Sequence, residues 1–228
     1  MILTLDIIKE TYTPYADADN SVTMSRYMKN QFPFLGIKKK DSAPINRELF
    51  RTYELPESHA LKMLVQALFT EPEREYHYFA IRLLEKQRHE LTSDDLSFLE
   101  SMVLQNSWWD SIDDLSPNIV GPIIRQGHPE DLERMMDWVT SDNFWLQRAG
   151  LLHQLKFKSK MNEDLLIKMI EQLKHDKEFF IRKAIGWILR EYSKTAPDFV
   201  MDYVSKAGLS KLSEREALKW LRAKGAAV

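Results

Sequence analysis

Phe144-Trp145-Leu146-Gln147-Arg148-Ala149 and Phe179-Phe180-Ile181-Arg182-Lys183-Ala184 match position by position at an offset of thirty-five residues. Thirty-five residues is the length of one helix-turn-helix unit in a stacked α-helical array. Trp108-Trp109 stands a further thirty-five or thirty-six residues upstream, and Glu75-Tyr76-His77-Tyr78-Phe79-Ala80 fits weakly one step before that. A unit of this size cannot bury its own apolar face, so its neighbours must stack on it. The expected fold is therefore all-α, a curved α-solenoid of helical repeats with a concave surface, forming one domain over residues 1–228. HEAT-like is the nearest named class.

Composition agrees. Glycine is scarce at seven residues and β-branched runs are short, while 44% apolar and 29% charged residues are ordinary for a globular chain that can bury a large core. Cysteine is absent, which excludes disulfides and thiolate metal sites and suits a reducing, cytoplasmic setting. The start, MILTLDIIKETYTPYADADN, carries Asp6 and no basic n-region, so it does not read as a signal peptide. No apolar stretch approaches the roughly 18 residues needed to cross a bilayer. The net charge of −2 hides an asymmetry: residues 1–144 carry a balance of −9 and residues 145–228 one of +7. A basic C-terminal third can hold a polyanion even when the whole chain is acidic. Charged helices that only keep a surface solvated would look the same.

Helix signals recur along the chain. Ser21 is expected to cap a helix through Val22, Met24, Arg26 and Tyr27 that ends near Pro33, and FPFLGIKKKDSAPI (32–45) reads as a loop. Asp41 or Ser42 would cap the next helix, and Leu55-Pro56-Glu57-Ser58 would break it. Thr70 with Glu73 forms a capping-box pattern, and Thr92-Ser93-Asp94-Asp95 opens another helix. SWWDSIDDLSPNIVGPIIRQ (107–126) reads as a helix interrupted at Pro117 and at Gly121-Pro122. Later starts fall at Pro129, at Asp142 and Asn162 as caps, at Asp176, and at Ser213 boxed with Glu216.

The repeat also aligns the residues that could carry chemistry. Trp109 and Asp113 are four apart and share a helix face, as do Lys183 and Trp187. Asp113, Arg148 and Lys183 are each thirty-five apart, so stacking would bring a carboxylate and two cations onto one stripe with an indole near each end. Such a stripe suits a cationic reaction centre beside a phosphate chain. Trp108 and Trp109 point about 100° apart on a helix; Trp108 is assigned to the core and Trp109 to the cleft. A solvated acidic helix carrying Asp110, Asp113 and Asp114, and an ordinary ion pair between Arg148 and Asp113, are the plainer readings. The six histidines form no HExxH or HxH pair, so neither a metal nor another cofactor is expected. No GxGxxG, GxxxxGK[ST] or GxSxG occurs, which argues against nucleotide loops and serine hydrolases.

Ser107-Trp108-Trp109-Asp110-Ser111-Ile112-Asp113, Asp142-Asn143-Phe144-Trp145-Leu146-Gln147-Arg148-Ala149 and Lys177-Glu178-Phe179-Phe180-Ile181-Arg182-Lys183-Ala184-Ile185-Gly186-Trp187 resemble the AlkD-type DNA alkylation repair family. So do Leu189-Arg190-Glu191-Tyr192-Ser193-Lys194-Thr195 with Pro197, Leu212-Ser213-Glu214-Arg215-Glu216-Ala217-Leu218, Arg26-Tyr27-Met28-Lys29 and Phe34-Leu35-Gly36-Ile37, so the likeness spans nearly the whole chain. One segment departs from the family pattern. The family's short loop after Gly-Ile, with Pro and paired Arg, is here Lys38-Lys39-Lys40-Asp41-Ser42-Ala43-Pro44-Ile45-Asn46-Arg47.

The resemblance implies a DNA glycosylase built from HEAT-like repeats that removes cationic N3- and N7-alkylated purines, such as 3-methyladenine and 7-methylguanine, from duplex DNA and leaves an abasic site. Trp109 and Trp187 would flank the lesion's deoxyribose, Asp113 would be the catalytic carboxylate and Arg148 would hold backbone phosphate. Lys183, Arg190, Lys156 and Tyr27 complete the expected DNA contacts. An alkylated purine already carries its positive charge and leaves without a general acid. The sugar passes through an oxocarbenium-like state, which one carboxylate and indole faces can stabilise. The expected protein is a monomer. A DNA-binding member without catalysis and a protein-interaction scaffold remain the alternatives; the scaffold would place apolar or mixed residues on the stripe.

Overall fold

The computed structural model describes residues 1–226, and among them every regular element is helical. The helices divide into two compact units, residues 1–92 and the chain from Ser93 onward.

In the first unit α1 (Leu5–Tyr12), α2 (Ala18–Tyr27), α3 (Lys39–Thr52), α4 (Ser58–Thr70) and α5 (Arg74–Lys86) follow one another. Ile8, Leu61, Val65, Leu68, Phe69, Phe79 and Leu83 form its fully buried centre. Asp17, not Ser21, caps α2 by accepting from the Asn20 amide at 2.8 Å; Ser21 lies inside the helix and its hydroxyl donates to the Phe34 carbonyl at 2.6 Å. The segment read as a loop is shorter than expected, because α3 begins at Lys39 and carries Pro44 within its first turns. What remains is pinned by Glu75, whose carboxylate accepts from the amides of Leu35, Gly36 and Ile37 at 2.9, 2.9 and 3.0 Å. Gly36 sits at φ +91°, and a β-carbon there would stand 2.0 Å from the Asp17 carbonyl oxygen, so only glycine fits. Thr70 and Glu73 do not form a capping box: Thr70 ends α4 and Glu73 precedes α5.

The second unit holds α6 (Leu96–Leu104), α7 (Trp109–Leu115), α8 (Gly121–Ile124), α9 (Pro129–Thr140), α10 (Phe144–Leu152), α11 (Glu163–Leu173), α12 (Phe179–Tyr192), α13 (Pro197–Lys206) and α14 (Lys211–Ala223). Helices α7, α10, α12 and α14 stack in sequence, each touching the next, while α9 packs on α10 and on α11. This is the repeat stacking that the thirty-five-residue offset predicts. The α-helix is interrupted at Pro117 and again at Gly121-Pro122, as expected, without a break in the helical path. The two prolines remove two amide donors, and the backbone answers with a π turn over Ser116–Val120 that carries α7 into α8. The turn docks on α10: Ser116 donates to the Ala149 carbonyl at 2.5 Å, and a β-carbon at Gly121 would stand 2.2 Å from the His153 carbonyl oxygen.

Three helix starts in this unit differ from the expected ones. Asn143, not Asp142, caps α10, accepting from the amides of Trp145 and Leu146 at 2.9 and 3.1 Å. Glu178 caps α12 by accepting from Phe180 at 3.1 Å, and Asp176 holds the Glu178 amide at 2.6 Å from outside the helix. Ser210, not Ser213, caps α14 at 3.1 Å. Asn162 caps α11 as expected. With these starts α7, α10 and α12 open at residues 109, 144 and 179, so Asp113, Arg148 and Lys183 are each the fifth residue of their helix. Among the described residues no helix is long and apolar enough to cross a membrane.

Candidate functional site

Helix α12 shows how the sequence presents the site. Ile181, Ala184, Ile185, Ile188, Leu189 and Tyr192 recur at helical spacing and are buried, which turns Lys183, Trp187 and Arg190 to the opposite face. Helices α7 and α10 add Trp109, Asp113 and Arg148 to the same surface. Together with Phe179 and Phe180 these six residues line one open cavity of about 300 Å³. The stripe inferred from spacing is therefore a contiguous site within the second unit, where Asp113, Arg148 and Lys183 line one cavity with Trp109 and Trp187.

Asp113 is the carboxylate of this cavity. Arg148 Nε donates to its Oδ1 and Arg148 Nη2 to its Oδ2, both at 2.9 Å, the fork geometry that gives the strongest carboxylate–guanidinium pairs. The Asp113 side chain is 18% exposed and that of Arg148 only 5%. Burial pushes the Asp113 carboxyl up to about 6. Arg148 opposes that rise, and the charges of Asp110 and Asp114 reinforce it. The carboxylate is thus ionised near neutrality, largely shielded from solvent and paired with Arg148. Arg148 also donates through Nη1 to the Phe180 carbonyl at 2.6 Å, and its guanidinium carbon lies 6.0 Å from the centre of the Trp187 ring. The plainer reading of Arg148, an ion pair with Asp113, is what the geometry gives, and the guanidinium is turned inward.

Lys183 Nζ and Arg190 Nη1 pair with the same carboxylate, Glu216, at 3.0 and 2.6 Å. Lys156 is exposed and donates to Asn118 Oδ1, outside the cavity lining. Tyr27 ends α2 in the first unit and is 69% exposed. Trp108 is half-buried, not core: it packs in an aromatic cluster with Trp145 and Phe180, ring centres 5.5 Å away in each case. Its indole nitrogen caps nothing and is buried without an acceptor. Trp109 is half-buried and lines the cavity, as assigned.

Two groups were not foreseen. Phe179, 51% exposed, and Phe180 both line the cavity. Glu216 was read as half of a capping box. The Ser213 and Glu216 pair instead faces α12: Ser213 donates to the Arg182 carbonyl at 2.9 Å and Glu216 holds the two cations. Two cations seven residues apart on one helix face are the signal that a shared acid was needed. His153 is fully buried outside the cavity lining. Its Nδ1 meets the Gly150 carbonyl at 2.5 Å, its Nε2 has no partner, and burial lowers it to about 4. Among the described residues no group of three His, Asp or Glu side chains could hold a metal.

The family model for the DNA alkylation repair enzymes matches residues 8–221. A solved structure described as a predicted DNA alkylation repair enzyme from Enterococcus faecalis is 34% identical, with 90% of this chain and 96% of that one covered at a TM-score of 0.82. AlkD2 from Streptococcus mutans is 19% identical over 84% of this chain and 91% of its own (TM-score 0.60), and smu.31 from Streptococcus mutans UA159 is 20% identical over 79% and 92% (TM-score 0.59); both are similar in fold. No curated protein matches the sequence. With all but the ends of the sequence matched and an all-helical repeat fold to agree, the chain belongs to the DNA alkylation repair enzyme family.

Proposed function

We propose that this chain is a monofunctional DNA glycosylase that hydrolyses the N-glycosidic bond of cationic alkylated purines in duplex DNA, acting as a single functional domain. The observation that carries the reading is Asp113: one largely buried carboxylate, held by Arg148 in a fixed orientation, in an open cavity that two indoles also line. Loss of an N3- or N7-alkylated purine breaks the bond from C1′ to the base nitrogen. The base departs neutral, and positive charge develops on the sugar ring. Asp113 stabilises that charge and orients the water that adds to C1′, while the faces of Trp109 and Trp187 favour both cationic partners. No proton has to be delivered to the leaving base. The 300 Å³ site is open, which suits a lesion approached from the side of the duplex.

Lys183 and Arg190, which line the cavity, would meet backbone phosphates, and Lys156 and Tyr27 are proposed as further DNA contacts. Arg148 supports the reaction by fixing Asp113. The test is direct: the purified protein is incubated with duplex DNA methylated at purines, and released bases are separated and quantified. Release of 3-methyladenine or 7-methylguanine with abasic sites in the product is expected. Binding to the duplex without release would leave a DNA-binding family member, and neither binding nor release would favour the scaffold.

A further inference from the structure

Two cations of the cavity edge share one acid. Lys183 lies four residues before Trp187 and Arg190 three residues after it, and Glu216 on α14 reaches both, Oε1 to Lys183 at 3.0 Å and Oε2 to Arg190 at 2.6 Å. Glu216 is 9% exposed. Burial opposes its ionisation, yet Lys183 and Arg190 hold it below the ordinary carboxylate range. The approach of α14 that makes this bridge possible depends on Gly186, where a β-carbon would stand 2.5 Å from the Glu216 β-carbon and 2.7 Å from the Ser213 carbonyl oxygen. Ser213 locks the register by donating to Arg182.

A part-buried ion triad of this kind contributes little net stability, because desolvation offsets most of the attraction. What it supplies is placement. Lysine and arginine side chains are long and rotamer-rich, and a shared carboxylate fixes where both charges sit. It also halves the local excess from two positive charges to one, and it keeps both cations from collapsing onto Asp113, the carboxylate that lines the same cavity.

We infer that Glu216 is a positioning residue, holding Lys183 and Arg190 on either side of Trp187 so that they meet the phosphates flanking a lesion and leave Asp113 uncompensated by them. The inference rests on the glycosylase reading. It is tested with Glu216→Gln, measuring release from methylated duplex at saturating enzyme and binding to an undamaged duplex across a salt series. Saturating release should fall on the order of 10-fold while affinity for undamaged duplex stays equal or rises. The freed cations should steepen the slope of log K against log salt by about one to two. In a Lys183→Gln/Arg190→Gln background the same substitution should add no further loss, since Glu216 would have nothing left to position. Unchanged release and slope in folded Glu216→Gln would overturn the inference, and so would an equal loss persisting in the double-glutamine background. Should Glu216→Gln fail to fold, Glu216→Asp, which keeps the charge but is too short to bridge both cations, carries the comparison of release with and without the double-glutamine background. If the wild-type protein releases no base, the glycosylase reading fails, while the salt slopes still report whether Glu216 restrains the two cations.

Discussion

Arg148 closes on Asp113 edge to edge, Nε to Oδ1 and Nη2 to Oδ2 at 2.9 Å each, from a helix that begins thirty-five residues later than the one carrying the acid. The same guanidinium donates to the Phe180 carbonyl, so it ties α7, α10 and α12 together directly beneath the cavity. An arginine committed in this way and only 5% exposed fixes a carboxylate's direction. A carboxylate so fixed needs no reorganisation when positive charge appears beside it, which is the condition under which one electrostatic group contributes most.

Asp113→Asn should slow base release on the order of 10²-fold, the scale of one lost electrostatic stabiliser. The amide keeps one acceptor for Arg148 but not the charge, so the fold should survive with a loss of about 1–3 kcal/mol. Single-turnover release and the melting temperature separate the two effects. Release at the wild-type rate would remove Asp113 from the chemistry.

Acid should slow the reaction before it unfolds the protein. Asp113 is faced by Arg148 from α10 and by Asp110 and Asp114 on its own helix, and its carboxyl titrates near 6. Base release should therefore rise as pH passes upward through about 6 and level off above it. Stability moves the other way for this group. Its folded pKa is raised, so the stabilisation it gives is full below the ordinary carboxylate range and is lost as pH climbs through 6. His153 opposes it, because its folded pKa is lowered to about 4 and its contribution, present at neutral pH, is lost as pH falls toward 4. Asp113→Asn removes the first term and leaves the second, so its melting temperature should drop more steeply than that of the wild type between pH 6 and 4. Equal slopes, with release at pH 5 as fast as at pH 7, would contradict this account.

The offset between Phe144-Trp145 and Phe179-Phe180 was enough to read the helical array and to place Asp113, Arg148, Lys183 and Trp187 on one surface, because stacked units repeat their register. Helix starts were less legible. Asp142, Asp176 and Ser213 each have the chemistry of a cap, and the neighbours Asn143 and Glu178 or the upstream Ser210 took the role. Which of two adjacent polar residues caps depends on where the preceding turn leaves the chain, and that is a tertiary matter. The prolines at 117 and 122 marked where the α-helix is interrupted, but not that the interruption takes the form of a π turn docked on α10. The Arg148–Asp113 pair was legible as the plainer reading of two charges one repeat apart, whereas the identity of the acid shared by Lys183 and Arg190 was not, since Glu216 reaches them from another helix.

Gly186→Ala should destabilise the second unit by about 1–3 kcal/mol, the usual cost of an extra methyl in a tight helix contact. The added carbon would meet the Glu216 β-carbon and the Ser213 backbone at well under van der Waals distance, so α14 must move away from α12. The Glu216 bridge should loosen with it. A melting temperature indistinguishable from that of the wild type would show that the two helices are less tightly joined than the 2.5 Å approach requires.

A neutral purine lesion should be excised hardly at all. Hypoxanthine and 1,N6-ethenoadenine lack the formal charge that makes an alkylated purine a good leaving group, so each would depart as an anion unless it were protonated first. The cavity lining offers Asp113, Arg148, Lys183 and Arg190 as its ionisable groups. Asp113 is the weakly held proton among them, and near neutrality it has lost it; if it is protonated to serve as the acid, the sugar cation loses its stabiliser. His153 cannot stand in. It is fully buried outside the lining, its Nδ1 is engaged by the Gly150 carbonyl, and burial keeps the ring neutral down to about pH 4. Release from duplexes carrying a methylated purine, hypoxanthine or ethenoadenine, measured side by side at pH 7, should fall by several orders of magnitude from the first to the other two. Comparable rates for hypoxanthine would mean that a proton donor reaches the base, and the loss of those rates in His153→Gln would identify it.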